Sequence, residues 1–271
     1  MTHTPRATAV VHALRPGTGL PLVLLHAFPL DHRMWEDAAA LLPGAPHGAA
    51  AQPVLALDLP GLGAAQGVPL PDPSLDASAD AVAAALARAG HDRAVVAGLS
   101  MGGYVALAVL ERHPGLVAGL GLLDTKAGAD TEEARANRLR IADAVESAGT
   151  VDEVLPMADA LLGRAARDRG TADRVRAWIG AQPPAGVAWS QRAMAARPDR
   201  TALLEEFTGP ALVLVGEEDQ PTPVAEARRT AGLLGVEPVV VPGAGHLTAV
   251  ETPGAVAAAL AELLARAAAG R

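Results

Sequence analysis

The chain contains no cysteine, so neither a disulfide framework nor thiolate chemistry is open to it. Aromatic residues make up 2% of it, namely three tryptophans, two phenylalanines and one tyrosine, and the core must be filled by alanine, valine and leucine. Lysine is almost missing as well, with Lys126 the only one. With 22 basic against 30 acidic residues the formal net charge is −8, and the arginines are scattered. That balance argues against a nucleic-acid surface. No apolar run reaches membrane-spanning length, and Met1–Gly17 lacks the basic start and apolar centre of a secretion signal. A cytoplasmic protein with no membrane partner is expected. What is present is a chain of 271 residues, 50% hydrophobic, enough for one sizeable core.

Short apolar runs read as buried parallel strands at Leu22–Leu25, Val54–Leu57, Ala94–Ala97, Val117–Leu123, Ala211–Val215 and Val239–Val241. Helical patterns lie between them at Asp31–Leu42, Ser74–Ala89, Met101–Arg112 and Thr252–Ala268, with Ser74 a cap and Pro253 an early helical proline. Such alternation predicts an α/β fold, a mostly parallel central sheet with helices on both faces. Ala7–Leu14 can add one or two antiparallel edge strands. From Lys126 to about Arg200 no strand pattern occurs, only helical segments at Thr131–Ala148, Val151–Arg167, Thr171–Gly180 and Val187–Ala196. The expected division is a core of residues 1–125 and 201–271 with a helical cap, 126–200, over the C-terminal strand edge.

Gly98-Leu99-Ser100-Met101-Gly102 joins a strand pattern to a helix pattern. A serine at such a tight turn projects its hydroxyl above the sheet, flanking glycines remove colliding side chains, and the Met101 amide at the helix start faces a developing oxyanion. Ser100 is therefore the expected nucleophile. It needs a base, and His246 is preferred among the eight histidines because it sits on a glycine-rich loop directly after a strand. His3, His12, His47, His91 and His113 read as solvated; His32 is near a helix start and His26 ends a strand. The acid that orients the base is Asp219, after strand Ala211–Val215, with Asp124 its rival at the end of Val117–Leu123. Glu217 and Glu218 read as loop charges. A second oxyanion donor should come from His26-Ala27-Phe28-Pro29, the loop after an early strand.

These segments, with Asp58-Leu59-Pro60-Gly61-Leu62-Gly63 and with Glu251 and Pro253 behind Gly245-His246, occur in the order of a known family. The chain resembles the α/β-hydrolases of the compact, lid-bearing kind that includes small carboxylesterases, enol-lactonases and pimeloyl-ester carboxylesterases. The resemblance covers about Leu20–Thr125 and Arg197–Leu264. It implies Ser100 as nucleophile, Asp219 as acid, His246 as base, and the amides of Phe28 and Met101 as oxyanion donors. Ala27 stands where the family usually has glycine and Leu62 where it has histidine. Asp58 is expected to fix its loop through backbone hydrogen bonds.

The expected activity is hydrolysis of carboxylic esters or lactones of small, mostly apolar substrates through an acyl-enzyme. The same triad would also serve a cofactor-free perhydrolase or haloperoxidase, or a carbon–carbon bond hydrolase or lyase, and the fold can serve as a small-molecule receptor. No metal is expected, since no H-E-x-x-H spacing occurs, and no cofactor, since no G-x-G-x-x-G follows a strand. Met157, Trp178, Trp189 and Met194 fall in the helical insertion as candidates to line the acyl pocket.

Overall fold

Each of the six apolar runs becomes a strand, and with one from the Ala7–Leu14 segment they form a seven-stranded sheet in the computed structural model, which describes residues 6–44 and 51–270. The run Val239–Val241, expected to be buried, is an edge strand with Val239 exposed. His3 and His47 lie outside the described residues. The strands are β1 (Val10–Arg15), β2 (Leu22–Leu25), β3 (Val54–Asp58), β4 (Ala94–Leu99), β5 (Val117–Leu123), β6 (Ala211–Gly216) and β7 (Val239–Val241). Their spatial order is β1-β3-β2-β4-β5-β6-β7, with β1 antiparallel to β3 and every other pair parallel. The inner strands β2 to β6 are buried along their whole length. That is why they read as continuous apolar runs rather than alternations.

The helices are α1 (Glu36–Leu41), α2 (Leu75–Arg88), α3 (Met101–Arg112), α4 (Glu132–Ala148), α5 (Met157–Ala160) and α6 (Arg164–Asp168), followed by α7 (Thr171–Gly180), α8 (Pro184–Ala195), α9 (Thr201–Glu206), α10 (Val224–Leu234), α11 (Thr248–Glu251) and α12 (Pro253–Ala269). Helices α2 and α3 pack together on one face of the sheet, and α1 with α12 on the other. Ser74 caps α2 by accepting the Asp76 N–H, and Thr131 caps α4 by accepting the Ala134 N–H. Among the described residues no helix is long and apolar enough to cross a membrane.

Two expected helices differ. Asp31–Leu42 opens as a 3-10 turn, His32–Trp35, capped by Asp31, before α1 begins. Val151–Arg167 is broken into a 3-10 turn, α5 and α6. Pro156, which has no N–H to continue the preceding turn, starts α5, and Gly163 takes extended backbone ahead of α6. Gly163 is held so close to the loop after β7 that a Cβ there would lie 2.6 Å from the Gly243 carbonyl oxygen.

Helices α4 to α8 all fall between β5 and β6. The ends of this insertion meet where the Arg200 N–H donates to the Ala127 carbonyl at 3.0 Å. Helix α8 crosses the loop after β3 so closely that a Cβ on Gly186 would lie 1.9 Å from the Gly61 oxygen. Gln182 adds bonds to the Asp31 carboxylate, 2.7 Å, and from the Gly63 N–H, 2.9 Å.

Candidate active site

Ser100 stands between β4 and α3 with φ 54° and ψ −114°, a left-handed φ that a residue with a Cβ adopts only under constraint. The constraint is visible. The Ser100 N–H donates to the Leu123 carbonyl at 2.9 Å, and its own carbonyl accepts the Thr125 hydroxyl at 2.8 Å. A Cβ on Gly98 would lie 2.1 Å from the Gly102 carbonyl, and one on Gly102 would lie 2.1 Å from the Leu25 oxygen. Both glycines are thus required by close backbone approach.

The loop after β7 brings His246 over the strand edge, where it is buried. Its Nε2 lies 2.8 Å from Ser100 Oγ, and its Nδ1 lies 2.9 Å from each carboxylate oxygen of Asp219. Asp219 is aimed by Thr222, whose N–H donates to Oδ1 at 2.9 Å and whose hydroxyl donates to Oδ2 at 2.7 Å. Glu251 holds the histidine loop from behind. Its carboxylate accepts the N–H groups of Gly163, Gly245 and Leu247 at 2.8, 3.0 and 3.1 Å. Burial pushes the Glu251 carboxyl up, although these three bonds oppose the shift. The Leu161 carbonyl also accepts the His246 N–H at 2.8 Å, so the insertion and the histidine loop are tied together. Motif reading passes over Thr222 as a positioning residue; its signal is the Asp-x-x-Thr spacing, which favours a local side-chain turn.

Phe28 and Met101 flank the nucleophile, one in the loop after β2 and the other at the first position of α3. Among the described residues neither amide N–H has a protein acceptor. His26, at the head of the Phe28 loop, is fully buried. Its Nε2 accepts the Leu59 N–H and its Nδ1 donates to the Ala27 carbonyl, both at 2.9 Å. Burial holds its pKa down, so it is a neutral brace for this loop.

Asp58 accepts the N–H groups of His32 and Ala64, each at 2.7 Å. It also faces His32 Nδ1 and His12 Nε2, each at 2.9 Å, and the two imidazoles stack with centroids 3.5 Å apart. His12 is therefore engaged rather than solvated. The three side chains have the donor types of a metal site, and each Asp58 oxygen also accepts a backbone N–H, from His32 and from Ala64. The cluster is a clasp for β1, the His32 turn and the Gly63 loop.

Asp124, the rival acid, is turned away from His246. It is fully buried at φ 46°, accepts the Gly216 N–H at 2.8 Å and bonds the Thr248 hydroxyl. Burial, and then the charge of Asp219, push its carboxyl well above the usual range. Because the native carboxyl is pushed up, the unfolded chain gives up the Asp124 proton at lower pH than the native state does, so this group lowers stability as pH rises above about 4. Asparagine keeps the acceptor for Gly216 and offers an N–H to Thr248 without titrating. The Asp124→Asn protein is expected to melt at or above the wild-type temperature at pH 7, with the difference closing towards pH 4. Calorimetry at both pH values checks this; a lower melting temperature for the variant at pH 7 contradicts it.

A cavity of about 210 Å³ opens above Ser100 and His246, walled by Met157, Met194, Lys126, Asp130 and Arg138 among others. Of the four insertion residues singled out, Met157 and Met194 border it. Trp178 and Trp189 do not. Trp178 lies under the guanidinium groups of Arg174 and Arg33, 5.1 and 5.9 Å from its ring centre. Trp189 donates its indole N–H to the Pro71 carbonyl at 2.7 Å, a bond that turns the ring towards the core loop. The wall combines apolar side chains with three charged ones, Lys126, Asp130 and Arg138.

A sequence model described as the alpha/beta hydrolase family matches residues 22–259. A thermophilic esterase from Thermogutta terrifontis, solved with malate bound, is 35% identical; the match covers 96% of this chain and 93% of that one, with a TM-score of 0.84. The 2-succinyl-6-hydroxy-2,4-cyclohexadiene-1-carboxylate synthase of Enterobacter sp. (strain 638) is 29% identical over 265 residues, covering 91% of this chain and 92% of the synthase. The enol-lactonase of Burkholderia xenovorans LB400 shares the fold with a TM-score of 0.79 at 22% identity, over 95% of each chain.

Proposed function

The chain belongs to the alpha/beta hydrolase family, and from that membership we propose that it cleaves carboxylic esters or lactones through an acyl-enzyme on Ser100. The observation that carries the reading is the unbroken relay from Ser100 Oγ to His246 Nε2, 2.8 Å, and from His246 Nδ1 to Asp219, 2.9 Å. Ser100 Oγ attacks the carbonyl carbon while His246 takes its proton. The N–H groups of Phe28 and Met101 stabilise the oxyanion, Met101 with the added field of a helix start. His246 returns the proton to the leaving alkoxide, then draws one from water, which attacks the acyl carbon and frees Ser100. Chain and water suffice for every step. Residues 126–200 act as a cap whose inner wall selects the substrate.

A second reading has one observation in its favour, the similarity over most of the chain to a synthase rather than a hydrolase. There the same triad would serve a lyase or carbon–carbon bond hydrolase.

Stopped-flow mixing with p-nitrophenyl butyrate separates the two. An acyl-enzyme route is expected to release p-nitrophenol in a burst of about one equivalent or in steady turnover, with an acyl adduct on Ser100 trapped at low pH. Turnover with no adduct on Ser100, or no p-nitrophenol from any ester, overturns the hydrolase reading.

A further inference from the structure

The cavity wall opposite the triad carries more positive charge than its acidic partner neutralises. Asp130, whose side chain is 3% exposed, faces Arg138 Nε at 2.6 Å, Arg197 Nη1 at 2.8 Å and Lys126 Nζ at 3.4 Å. Among the described residues these three cations form no ion pair with any other carboxylate. Burial alone would raise the Asp130 carboxyl, but the Arg197 and Arg138 contacts outweigh it and hold the group ionised, far below the usual range. One anion therefore stands among three cations.

The cations are not equivalent. Arg197 is 2% exposed, donates to the carbonyls of Met194 and Gly128, and lies over the Tyr104 ring at 4.0 Å. It is built into the fold. Lys126 and Arg138 keep 24% and 22% of their side chains exposed and border the cavity with Ser100 and His246. Lys126 is the only lysine of the chain, and among the described residues its Nζ makes no hydrogen bond and only the long contact to Asp130. Arg138 donates through Nη1 to Gln191 at 3.2 Å, while its Nη2 has no partner among the described residues. Two partly buried cations with unused N–H groups, bordering a small cavity, attract an anion held there.

We propose that Lys126 and Arg138 bind a carboxylate carried by the substrate itself, so that the preferred substrates are half-esters of short dicarboxylic acids. The proposal rests on the ester-hydrolase reading for its chemistry and names the substrate class of that site. A carboxylate can accept from the free Arg138 Nη2 and from Lys126 Nζ together, and the cavity of about 210 Å³ limits the acyl chain to a short one. Hydrolysis at Ser100 would then release a dicarboxylate. The metabolic neighbour must be a step that makes, or consumes, a small diacid.

The test compares kcat/KM for mono-p-nitrophenyl glutarate and p-nitrophenyl valerate, which differ in the terminal carboxylate. Wild-type protein is expected to favour the glutarate. Lys126→Met and Arg138→Gln are each expected to lower the glutarate-to-valerate ratio by about 10- to 100-fold, the range for a charged hydrogen bond. Lys126→Arg and Arg138→Lys should keep much of the preference. A network that only ties the insertion together would change both esters alike and leave the ratio fixed. In a second arm, glutarate and inorganic phosphate are titrated calorimetrically into the Ser100→Ala protein at low and high salt. Glutarate is expected to bind, more weakly at high salt, and not after Lys126→Met is added. Glutarate binding without any ester turnover would sink the hydrolase reading alone. Ester turnover with a wild-type ratio at or below one, no glutarate binding, or tighter phosphate binding would overturn the carboxylate proposal, with no variant needed.

Discussion

Replacing Ser100 by alanine is expected to lower ester turnover by on the order of 10^6-fold while leaving the fold in place. Only Oγ is removed. The backbone bonds that hold position 100, from its N–H to Leu123 and from Thr125 to its carbonyl, do not involve the side chain. The close approaches at Gly98 and Gly102 are likewise untouched. Alanine also keeps the left-handed φ with the same Cβ, so the local strain is unchanged. What disappears is, among the described residues, the sole atom within hydrogen-bond distance of His246 Nε2 that can attack a carbonyl. The remaining rate above that in water should come from the amides of Phe28 and Met101. Steady-state assays on purified variant, with phosphonate labelling read by intact mass, check the result. Turnover within tenfold of wild type, or undiminished labelling, would place the nucleophile elsewhere.

Replacing Asp219 by asparagine should cost on the order of 10^4-fold in kcat, through the imidazole rather than the fold. In the wild type both carboxylate oxygens lie 2.9 Å from His246 Nδ1, so that nitrogen carries the proton and Nε2 is free to accept the serine proton. The introduced amide can present its NH2 to Nδ1. The proton then moves to Nε2, where it blocks transfer from Ser100. Thr222 favours that flip, since its N–H still needs an acceptor at the Oδ1 position, 2.9 Å away. Asp124→Asn supplies the contrast: it should leave kcat within a few-fold, because Asp124 bonds Gly216 and Thr248 and not His246. The two variants, assayed side by side with the same ester, decide between the carboxylates. A collapse in Asp124→Asn with Asp219→Asn near wild type would reverse the assignment.

Much of the scaffold is legible in the sequence because it is governed by short-range physics. Runs such as Val117–Leu123 are apolar at every position, which only a strand covered on both faces requires, and that run forms β5 with the same bounds. The Gly98–Gly102 turn is equally local, since its glycines answer backbone contacts within a few residues and with the adjacent strand end. Where a pattern mixes signals the bounds slip. Val151–Arg167 has helical periodicity, but Pro156 and Gly163 break it, the latter because the chain must pass against the Gly243–Gly245 loop.

The carboxylate beside His246 is the one preferred from the sequence, Asp219, while its rival Asp124 ends a parallel strand too. What separates them physically is the assembly of β5, β6 and the loop after β7, which leaves Asp124 under Thr248 and Asp219 against the imidazole. The cavity wall is the same kind of case. Met157, Met194, Trp178 and Trp189 are interchangeable as large apolar residues of a helical insertion, and only packing turns the methionines inward and the tryptophans towards Pro71 and Arg174. The sequence by itself determined the α/β alternation, the helical insertion, and a serine and a histidine at strand ends, because backbone sterics and burial act residue by residue. Tertiary structure alone decided which side chains of the insertion line the cavity and what charge its wall carries, because the groups involved are far apart in the chain and meet only once the insertion folds over the sheet.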